Sequence, residues 1–162
     1  MSKILVAYFS ATGTTESVAK KLCEAVGGDL FEITPVVPYT PADLEWRNPN
    51  SRSSLEMRDD SSRPQIAGRV DDIRSYDTIL VGFPLWWYRA PTIINTFLET
   101  YDLSDKVVLP FATSGSSEFG DTNKFLLPSC PDAVLKEGRK LPQNISVDGL
   151  RKWFETSIKA VQ

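Results

Sequence analysis

The sequence predicts a three-layer α/β domain in which helices cover both faces of a parallel β-sheet. Short apolar runs, typical of buried strands, alternate about five times with segments that carry an amphipathic helical pattern. Neither an internal repeat nor a linker interrupts this alternation, so the 162 residues are expected to form a single domain, 1–162. A parallel sheet follows because each strand of such a chain returns to the sheet through a helix, which then covers one face.

The first strand and the first helix are the clearest of these elements. Residues 4–9 form an apolar run that predicts a buried strand. Apolar residues over 18–26 recur at spacings of three and four, which predicts a helix with one apolar face, and Gly27-Gly28 predicts where it ends. Residues 29–34 predict a second, shorter strand.

The connection over residues 35–63 is irregular, with four prolines and many charges. A loop this long in a compact domain is usually functional or mobile. Residues 40–43, Thr-Pro-Ala-Asp, have the capping residue, proline and acid of a helix start, which predicts one short helix carrying Leu44 and Trp46. Apolar residues at helical spacing over 66–73 predict a helix of about ten residues.

The second half of the chain continues the alternation of strands and helices. Its apolar runs are typical of buried strands, except for the last, which is less apolar and is therefore expected at a sheet edge. In order, the predicted elements are a strand at 78–83, a helix from Pro91 to Tyr101, a strand at 106–112, a strand at 134–141 and a helix from Leu150 to Val161.

The composition argues against several classes of function. A net charge of -3 and an isoelectric point near 5.0 disfavour a nucleic-acid partner, which would require a basic face. No segment approaches the roughly 18 apolar residues of a membrane span, and the first strand begins too early for a signal peptide, so we expect a cytoplasmic protein with no membrane partner. The chain contains no histidine, which disfavours Ser-His-Asp hydrolysis and most zinc sites. We therefore expect a bound cofactor to supply the chemistry.

A hydroxyl-rich turn separates the first strand from the first helix. It contains Ser10, Thr12, Gly13, Thr14 and Thr15. The first amides of a helix have no intrahelical partners and lie at the positive end of its dipole, so an anion can bind there. Glycine can adopt backbone angles closed to other residues, and the hydroxyls add donors. Because the turn has no lysine or arginine, it suits a terminal phosphate that is held rather than transferred.

Two further loops follow strands whose carboxyl ends meet at the same edge of the sheet, where ligands bind in folds of this class. One loop contains Pro84, Leu85, Trp86, Trp87 and Tyr88. Its aromatic rings offer flat faces to a planar ligand, although one tryptophan is also expected to fill core space. The other loop contains Thr113, Ser114, Gly115 and Gly120. Its amides can approach a heterocycle closely, or it can be only a flexible surface loop. Together the three loops suit a planar ring joined to a phosphate, namely flavin mononucleotide (FMN).

With these three loops on the predicted strands, the sequence resembles a flavodoxin over essentially its whole length. The resemblance implies a five-stranded parallel sheet in the order 2-1-3-4-5 with FMN bound noncovalently. It implies that the hydroxyl-rich turn holds the phosphate and that residues 84–88 hold the isoalloxazine, with Trp86 or Trp87 against it. The loop from residue 113 to residue 120 would contact the other side of the ring or its pyrimidine edge. Many flavodoxins place an aromatic residue of this last loop over the ring; here only Phe119 is available, and Trp46 could substitute.

Two redox functions and one non-redox function are compatible with this pattern. We favour a low-potential electron carrier without catalytic residues, which works with redox partner proteins and is a monomer or a weak dimer. Glu118 and Asp121 are the acids placed to lower the potential of the flavin, although both also fit solvated surface charge. The alternative is an FMN-dependent NAD(P)H:quinone or nitro-compound oxidoreductase, in which Arg89 meets a substrate anion. A cofactor-free scaffold would have little reason to keep the phosphate turn.

Overall fold

The computed structural model describes residues 3–114 and 118–159. The strands are β1 (Ile4–Tyr8), β2 (Asp29–Glu32), β3 (Thr34–Pro35), β4 (Ile66–Ala67), β5 (Thr78–Pro84), β6 (Val107–Thr113), β7 (Val134–Leu135) and β8 (Arg139–Lys140). The helices are α1 (Thr14–Val26), α2 (Arg52–Arg58), α3 (Thr92–Thr100), α4 (Thr122–Leu126) and α5 (Val147–Lys159).

A parallel sheet with the strand order β2-β1-β5-β6-β7 forms the centre of the fold, and β8 pairs with β6 further along. This order confirms the expected 2-1-3-4-5 arrangement. The fifth strand expected at 134–141 is divided, because it pairs with β6 at Val107 and Val108 and then again at Phe111 and Ala112. Pro110 lies between these two stretches and has no N–H to donate to an edge strand.

Two apolar clusters, one on each face of the sheet, give the fold its three layers. Alternate residues of β1 contribute to different clusters, with Val6 in one and Ala7 in the other. The cluster that contains Val6 packs the sheet against α1 and α5, through Leu22 and Leu150. The cluster that contains Ala7 packs it against α3, through Phe97. Within residues 3–114 and 118–159, the helices are too short or too polar to cross a membrane.

The prediction of a helix over residues 66–73 is wrong. The chain instead forms β4, which pairs antiparallel with β3, and only one 3-10 turn follows at 73–75. A helix of this length is marginal on its own, whereas strand pairing satisfies the backbone, with Val36 N–H donating to the Gln65 carbonyl at 2.9 Å. The apolar spacing therefore reflects contacts with the core that an extended chain also makes.

The short helix predicted to carry Leu44 and Trp46 is also wrong. Its start does form, because Asp43 N–H donates to Thr40 Oγ1 at 3.1 Å and Thr40 N–H donates to the Asp43 carboxylate at 2.9 Å. The chain then turns away, and the Asp43 carbonyl accepts from Ser53 N–H at 2.9 Å. A helical continuation would need that carbonyl, so the helix of this connection lies further on, as α2.

An ion pair fastens the end of the long connection to α3. The Glu99 carboxylate accepts from Arg63 Nε and Nη2, at 3.0 and 3.1 Å, and from Ser129 Oγ at 2.7 Å. The hydrogen bonds from Arg63, and then that from Ser129, lower the pKa of Glu99 below its usual value of 4.5.

We expect Glu99→Gln to lower the free energy of unfolding at neutral pH by about 0.5 kcal/mol, because a pair this exposed contributes little. Since the folded pKa is depressed, the contribution is complete above pH 4.5 and is lost as the pH falls through the lower folded value. Urea denaturation of both proteins between neutral pH and about pH 3 measures this difference. A difference that does not shrink on acidification would contradict the assignment.

Candidate functional site

A cavity of about 360 Å³ opens at the carboxyl ends of β1, β5 and β6. This volume lies within the range of roughly 300–1,000 Å³ typical of small-molecule sites. Among the described residues, the lining consists of Thr12, Thr14, Thr15, Pro84, Leu85, Trp86, Thr113, Ser114, Leu141 and Gln143. All but Leu141 and Gln143 are predicted site residues, and the predicted Gly115 lies outside the described residues.

The hydroxyl-rich turn forms the end of the cavity where α1 begins. Gly13 has φ 94°, a left-handed conformation that favours glycine, and its N–H donates to Ser10 Oγ at 3.0 Å. Ser10 therefore closes the turn from within and does not line the cavity. Thr12 and Thr14 do line it, beside the first amides of α1, which have no intrahelical partners. This end of the cavity offers uncharged donors to an anion.

A buried hydroxyl pair joins the start of α1 to the end of β6. Thr15 Oγ1 and Thr113 Oγ1 lie 2.7 Å apart, and both residues are buried. The Thr113 carbonyl also accepts from Leu85 N–H at 2.9 Å. Thr113 thereby ties the hydroxyl-rich turn to the aromatic loop and fixes their separation.

One acid lies in the first turn of α1, where its charge would repel an anion. Glu16 accepts a hydrogen bond from the Tyr8 hydroxyl at 3.0 Å and lies 3.6 Å from Lys20 Nζ. Burial, followed by this hydrogen bond, raises the pKa of Tyr8, so its hydroxyl remains a donor. These two partners hold the Glu16 carboxylate, and the positive charge of Lys20 offsets part of its negative charge.

The aromatic loop ends in a tight turn with two strained residues. Trp86 N–H donates to the Arg89 carbonyl at 2.9 Å, and Arg89 N–H donates to the Trp86 carbonyl at 3.3 Å. Between them, Trp87 and Tyr88 have φ values of 51° and 66°, left-handed values that bulky residues rarely adopt. Strain of this kind costs about 1–3 kcal/mol per residue and is concentrated at functional sites.

The turn places Trp86 in the lining of the cavity and Trp87 on the surface. Trp86 is partly buried and lines the cavity, whereas Trp87 and Tyr88 are exposed and stand outside the lining. The Trp86 ring packs edge-on against Phe9 and Tyr39, at centroid distances of 5.9 and 5.6 Å. Of the two tryptophans that the sequence left open, Trp86 is therefore the one that forms the wall of the cavity.

The third loop supports this turn. Gly120 has φ 56°, and a Cβ there would lie 3.0 Å from the Tyr88 carbonyl, which favours glycine. Thr122 Oγ1 donates to the Phe119 carbonyl within the loop and lies 3.4 Å from the Tyr88 carbonyl. Phe119, considered as a cover for a bound ring, packs instead on Phe83 in the core, with ring centroids 6.5 Å apart. The aromatic face of the cavity is therefore Trp86, on the other loop.

The sequence reasoning missed Leu141 and Gln143, which follow β8 and line the cavity. Lys21 Nζ on α1 holds their loop in place by donating to the Gln143 carbonyl at 2.8 Å and to the Ile145 carbonyl at 2.7 Å. A signal was available, because the end of the fifth strand is also a carboxyl end at the ligand-binding edge of the sheet.

A family model described as flavodoxin matches residues 3–157. The chain belongs to the flavodoxin family. It is 28% identical over 154 residues to a flavodoxin of Haemophilus influenzae, which covers 93% of this chain and 71% of that protein. It is also 29% identical over 101 residues to an NAD(P)H dehydrogenase (quinone) of Acidovorax ebreus, but this match covers 61% of the chain and only 46% of the dehydrogenase.

Solved structures agree with this assignment. A proposed flavoprotein of Bacteroides eggerthii has a TM-score of 0.92 and 49% identity, with coverage of 99% of this chain and 100% of that one. A flavoprotein of Lactobacillus acidophilus, solved in complex with FMN, has a TM-score of 0.73 over 98% of this chain and 100% of that one. At 19% identity this second likeness concerns the fold alone. Family and flavoprotein relatives together support a flavin cofactor, while both flavodoxins and quinone dehydrogenases occur among the relatives.

Arg89 is not a free cation beside the cavity. Its Nη1 donates to Asp60 Oδ1 at 2.5 Å, its guanidinium lies 3.8 Å from the centre of the Phe125 ring, and the residue is buried. The expectation that it meets a substrate anion does not fit this arrangement. Arg89 instead anchors the strained turn to the long connection and to α4.

The other charged or aromatic candidates lie on the surface. Glu118 is 75% exposed in its side chain and pairs with Lys140 Nζ at 3.4 Å. Asp121 is exposed and immediately precedes α4. Trp46 is 62% exposed, lies against the Arg47 guanidinium, and is not part of the described lining, so it does not replace Phe119.

Proposed function

We propose that this protein binds FMN noncovalently and serves as a low-potential electron carrier. The observation that carries the proposal is the cavity itself, which joins an uncharged, hydroxyl-rich helix start at one end to the indole of Trp86. These are the two surfaces that a planar ring linked to a phosphate requires.

The residues fit the phosphate of FMN. Thr12, Thr14 and Thr15 offer hydroxyls beside the free amides of α1, and the helix dipole adds positive potential there. Ser10 and Gly13 shape the turn from which these amides point. None of the described lining residues carries a charge, so the site suits a phosphate that is bound and not transferred.

The rest of the lining suits the isoalloxazine. Pro84, Leu85 and Trp86 would hold one side of the ring, with Thr113 and Ser114 on the other. Trp87, Tyr88, Gly115 and Gly120 remain proposed contacts or supports of the ring, in the second and third loops.

Bound FMN would supply electron transfer, and the protein would bind, orient and shield it. The chain has no histidine, the only side chain whose unperturbed pKa lies in the neutral range, which disfavours acid–base catalysis by the protein itself. A net charge of -3 suits docking to basic patches on a reductase and an acceptor protein.

We expect Glu118→Gln to raise the midpoint potential of the bound flavin by about 10–40 mV, because removing a negative charge favours the reduced, more negative cofactor. The effect is small since Glu118 is exposed and paired with Lys140. Lys140→Gln is the matched variant and should move the potential in the opposite direction. Redox titration measures these midpoint potentials. Equal midpoint potentials in all three proteins would show that Glu118 and Lys140 do not influence the flavin.

An FMN-dependent NAD(P)H:quinone oxidoreductase is the second candidate. It is favoured by the packing of Phe119 into the core, which leaves that aromatic ring away from the cavity and gives a flat substrate room to stack. The match to a quinone dehydrogenase, although partial, points the same way.

Stopped-flow mixing of the FMN-loaded protein with NADPH separates the two functions. The carrier predicts that the flavin bands persist until a separate reductase is added, and that redox titration gives two separated one-electron steps. Rapid direct bleaching by NADPH, with a single two-electron step, would overturn the carrier in favour of the oxidoreductase.

A further inference from the structure

The long connection contributes one aromatic ring to the back of the cavity wall. Tyr39 lies in this connection, and its ring centroid is 5.6 Å from that of Trp86, at an interplanar angle of 72°. The Tyr39 ring also packs on the Phe9 ring, with the two centroids 5.5 Å apart. Phe9 touches Trp86 in turn, so the three rings form a closed cluster with the indole on the cavity side.

Two charged residues of α2 also hold the Tyr39 side chain. The Tyr39 hydroxyl donates to Glu56 Oε1 at 2.5 Å, and the Arg52 guanidinium lies 3.7 Å from the ring centre. Arg52 Nε also donates to Glu56 Oε2 at 2.9 Å. Both charged side chains are largely buried, with 22% and 14% of their surfaces exposed, so solvent screens the arrangement only in part.

The hydroxyl remains a donor throughout the physiological range. Burial, followed by the hydrogen bond to Glu56, raises the pKa of Tyr39 well above its usual value of 10.0. Arg52 Nη1 further donates to the Val37 carbonyl at 2.7 Å, which binds α2 to the chain just before Tyr39. The ring is therefore fixed at its edge, its face and its backbone.

We propose that Tyr39 is a positioning residue that holds the Trp86 indole at the wall of the cavity, so that the long connection determines flavin affinity through α2. The proposal rests on the proposed binding of FMN. Aromatic pairs of this geometry stabilise the folded state by about 0.5–1.5 kcal/mol, so re-ordering an indole that the loss of the Tyr39 ring has freed would lower FMN affinity by up to about tenfold.

Three variants separate positioning from general stability. Tyr39→Leu removes the ring, Tyr39→Phe keeps the ring and removes only the bond to Glu56, and Trp46→Leu deletes an exposed aromatic of the same connection as a control. Each is labelled with 5-fluorotryptophan, which gives one fluorine resonance for each of the four tryptophans, and Trp86 is assigned with Trp86→Leu. Trp153, in the cluster on the opposite face of the sheet, is the internal reference.

In the apo protein, Tyr39→Leu should shift or broaden the Trp86 resonance and leave that of Trp153 in place. FMN affinity, measured in parallel, should fall by up to about tenfold in Tyr39→Leu, remain near wild type in Tyr39→Phe and be unchanged in Trp46→Leu. In the Trp86→Leu background, Tyr39→Leu should cause no further loss of affinity, because the effect passes through the indole.

An unmoved Trp86 resonance, or an affinity unaffected by Tyr39→Leu, would overturn the proposal. An equal loss of affinity from Tyr39→Leu in the Trp86→Leu background would also overturn it, since Tyr39 would then act by another route. If Tyr39→Leu does not fold, Arg52→Met supplies the same test by removing the cation from the ring face. If Tyr39→Leu displaces the Trp86 resonance but the wild-type protein does not bind FMN, the proposed function is wrong while the positional effect of Tyr39 stands.

Discussion

Replacing Gly82 by alanine should lower the free energy of unfolding by about 3 kcal/mol, at the upper end of typical overpacking penalties. Gly82 lies in the middle of the central strand β5, where an added Cβ would be 2.2 Å from Phe111 Cζ and 2.3 Å from Cε2. The Phe111 ring is fully buried in the cluster shared with α1 and α5, so it has no room to withdraw.

Urea denaturation of the apo protein measures this loss, and a double variant tests its cause. Phe111→Leu alone should be destabilising because it leaves a cavity. The combination of Gly82→Ala with Phe111→Leu should cost clearly less than the sum of the two single changes, because the smaller side chain makes room for the new methyl group. Additive losses, or a Gly82→Ala protein within about 1 kcal/mol of wild type, would contradict the packing described for β5.

Thr14→Glu should weaken FMN binding by about 100-fold or more while leaving the fold intact. The new carboxylate would lie at the helix start proposed for the phosphate, and two like charges about 4 Å apart repel by about 4 kcal/mol at an effective dielectric of 20, before screening. An acid in the first turn of a helix is itself favourable, so α1 should be as stable as before or more so.

Riboflavin, which lacks the phosphate, is the control ligand for this variant. Its affinity should change by less than about threefold in Thr14→Glu, and the uncharged Thr14→Gln should retain most FMN affinity. Isothermal titration of both ligands against the three proteins gives the comparison. A parallel loss of riboflavin and FMN binding would place the phosphate elsewhere, and unchanged FMN binding would exclude this end of the cavity.

The parts of the fold that could be predicted from sequence are those where local pattern and tertiary packing agree. The run at 4–9, the helical spacing over 18–26 and the hydroxyl-rich turn between them all have the structures expected. Apolar spacing failed over 66–73, because three apolar contacts with the core do not reveal whether the chain that makes them is helical or extended. The hydrogen bonds of a helix start did form between Thr40 and Asp43. The helix does not continue, because the Asp43 carbonyl accepts from the distant Ser53 N–H instead of from the next helical turn.

The candidate site was predictable where residues follow a strand directly. Three loops were found from their position after strands, and they meet at one cavity. The choice between Trp86 and Trp87 depended on a strained turn that adjacent aromatic residues do not signal. Tyr39 could not be found, because it reaches Trp86 from a connection whose path is set by α2 and by an ion pair rather than by periodicity.

We propose that this chain binds FMN through its phosphate at the hydroxyl-rich turn and places the indole of Trp86 beside the flavin ring. Titration of apo protein into FMN, followed by flavin fluorescence, tests it most directly. We predict that the emission is lost with an end point of one FMN per chain at micromolar protein, since a bound flavin beside Trp86 is quenched. Emission that stays bright, from a protein whose circular dichroism shows an intact fold, would contradict the account.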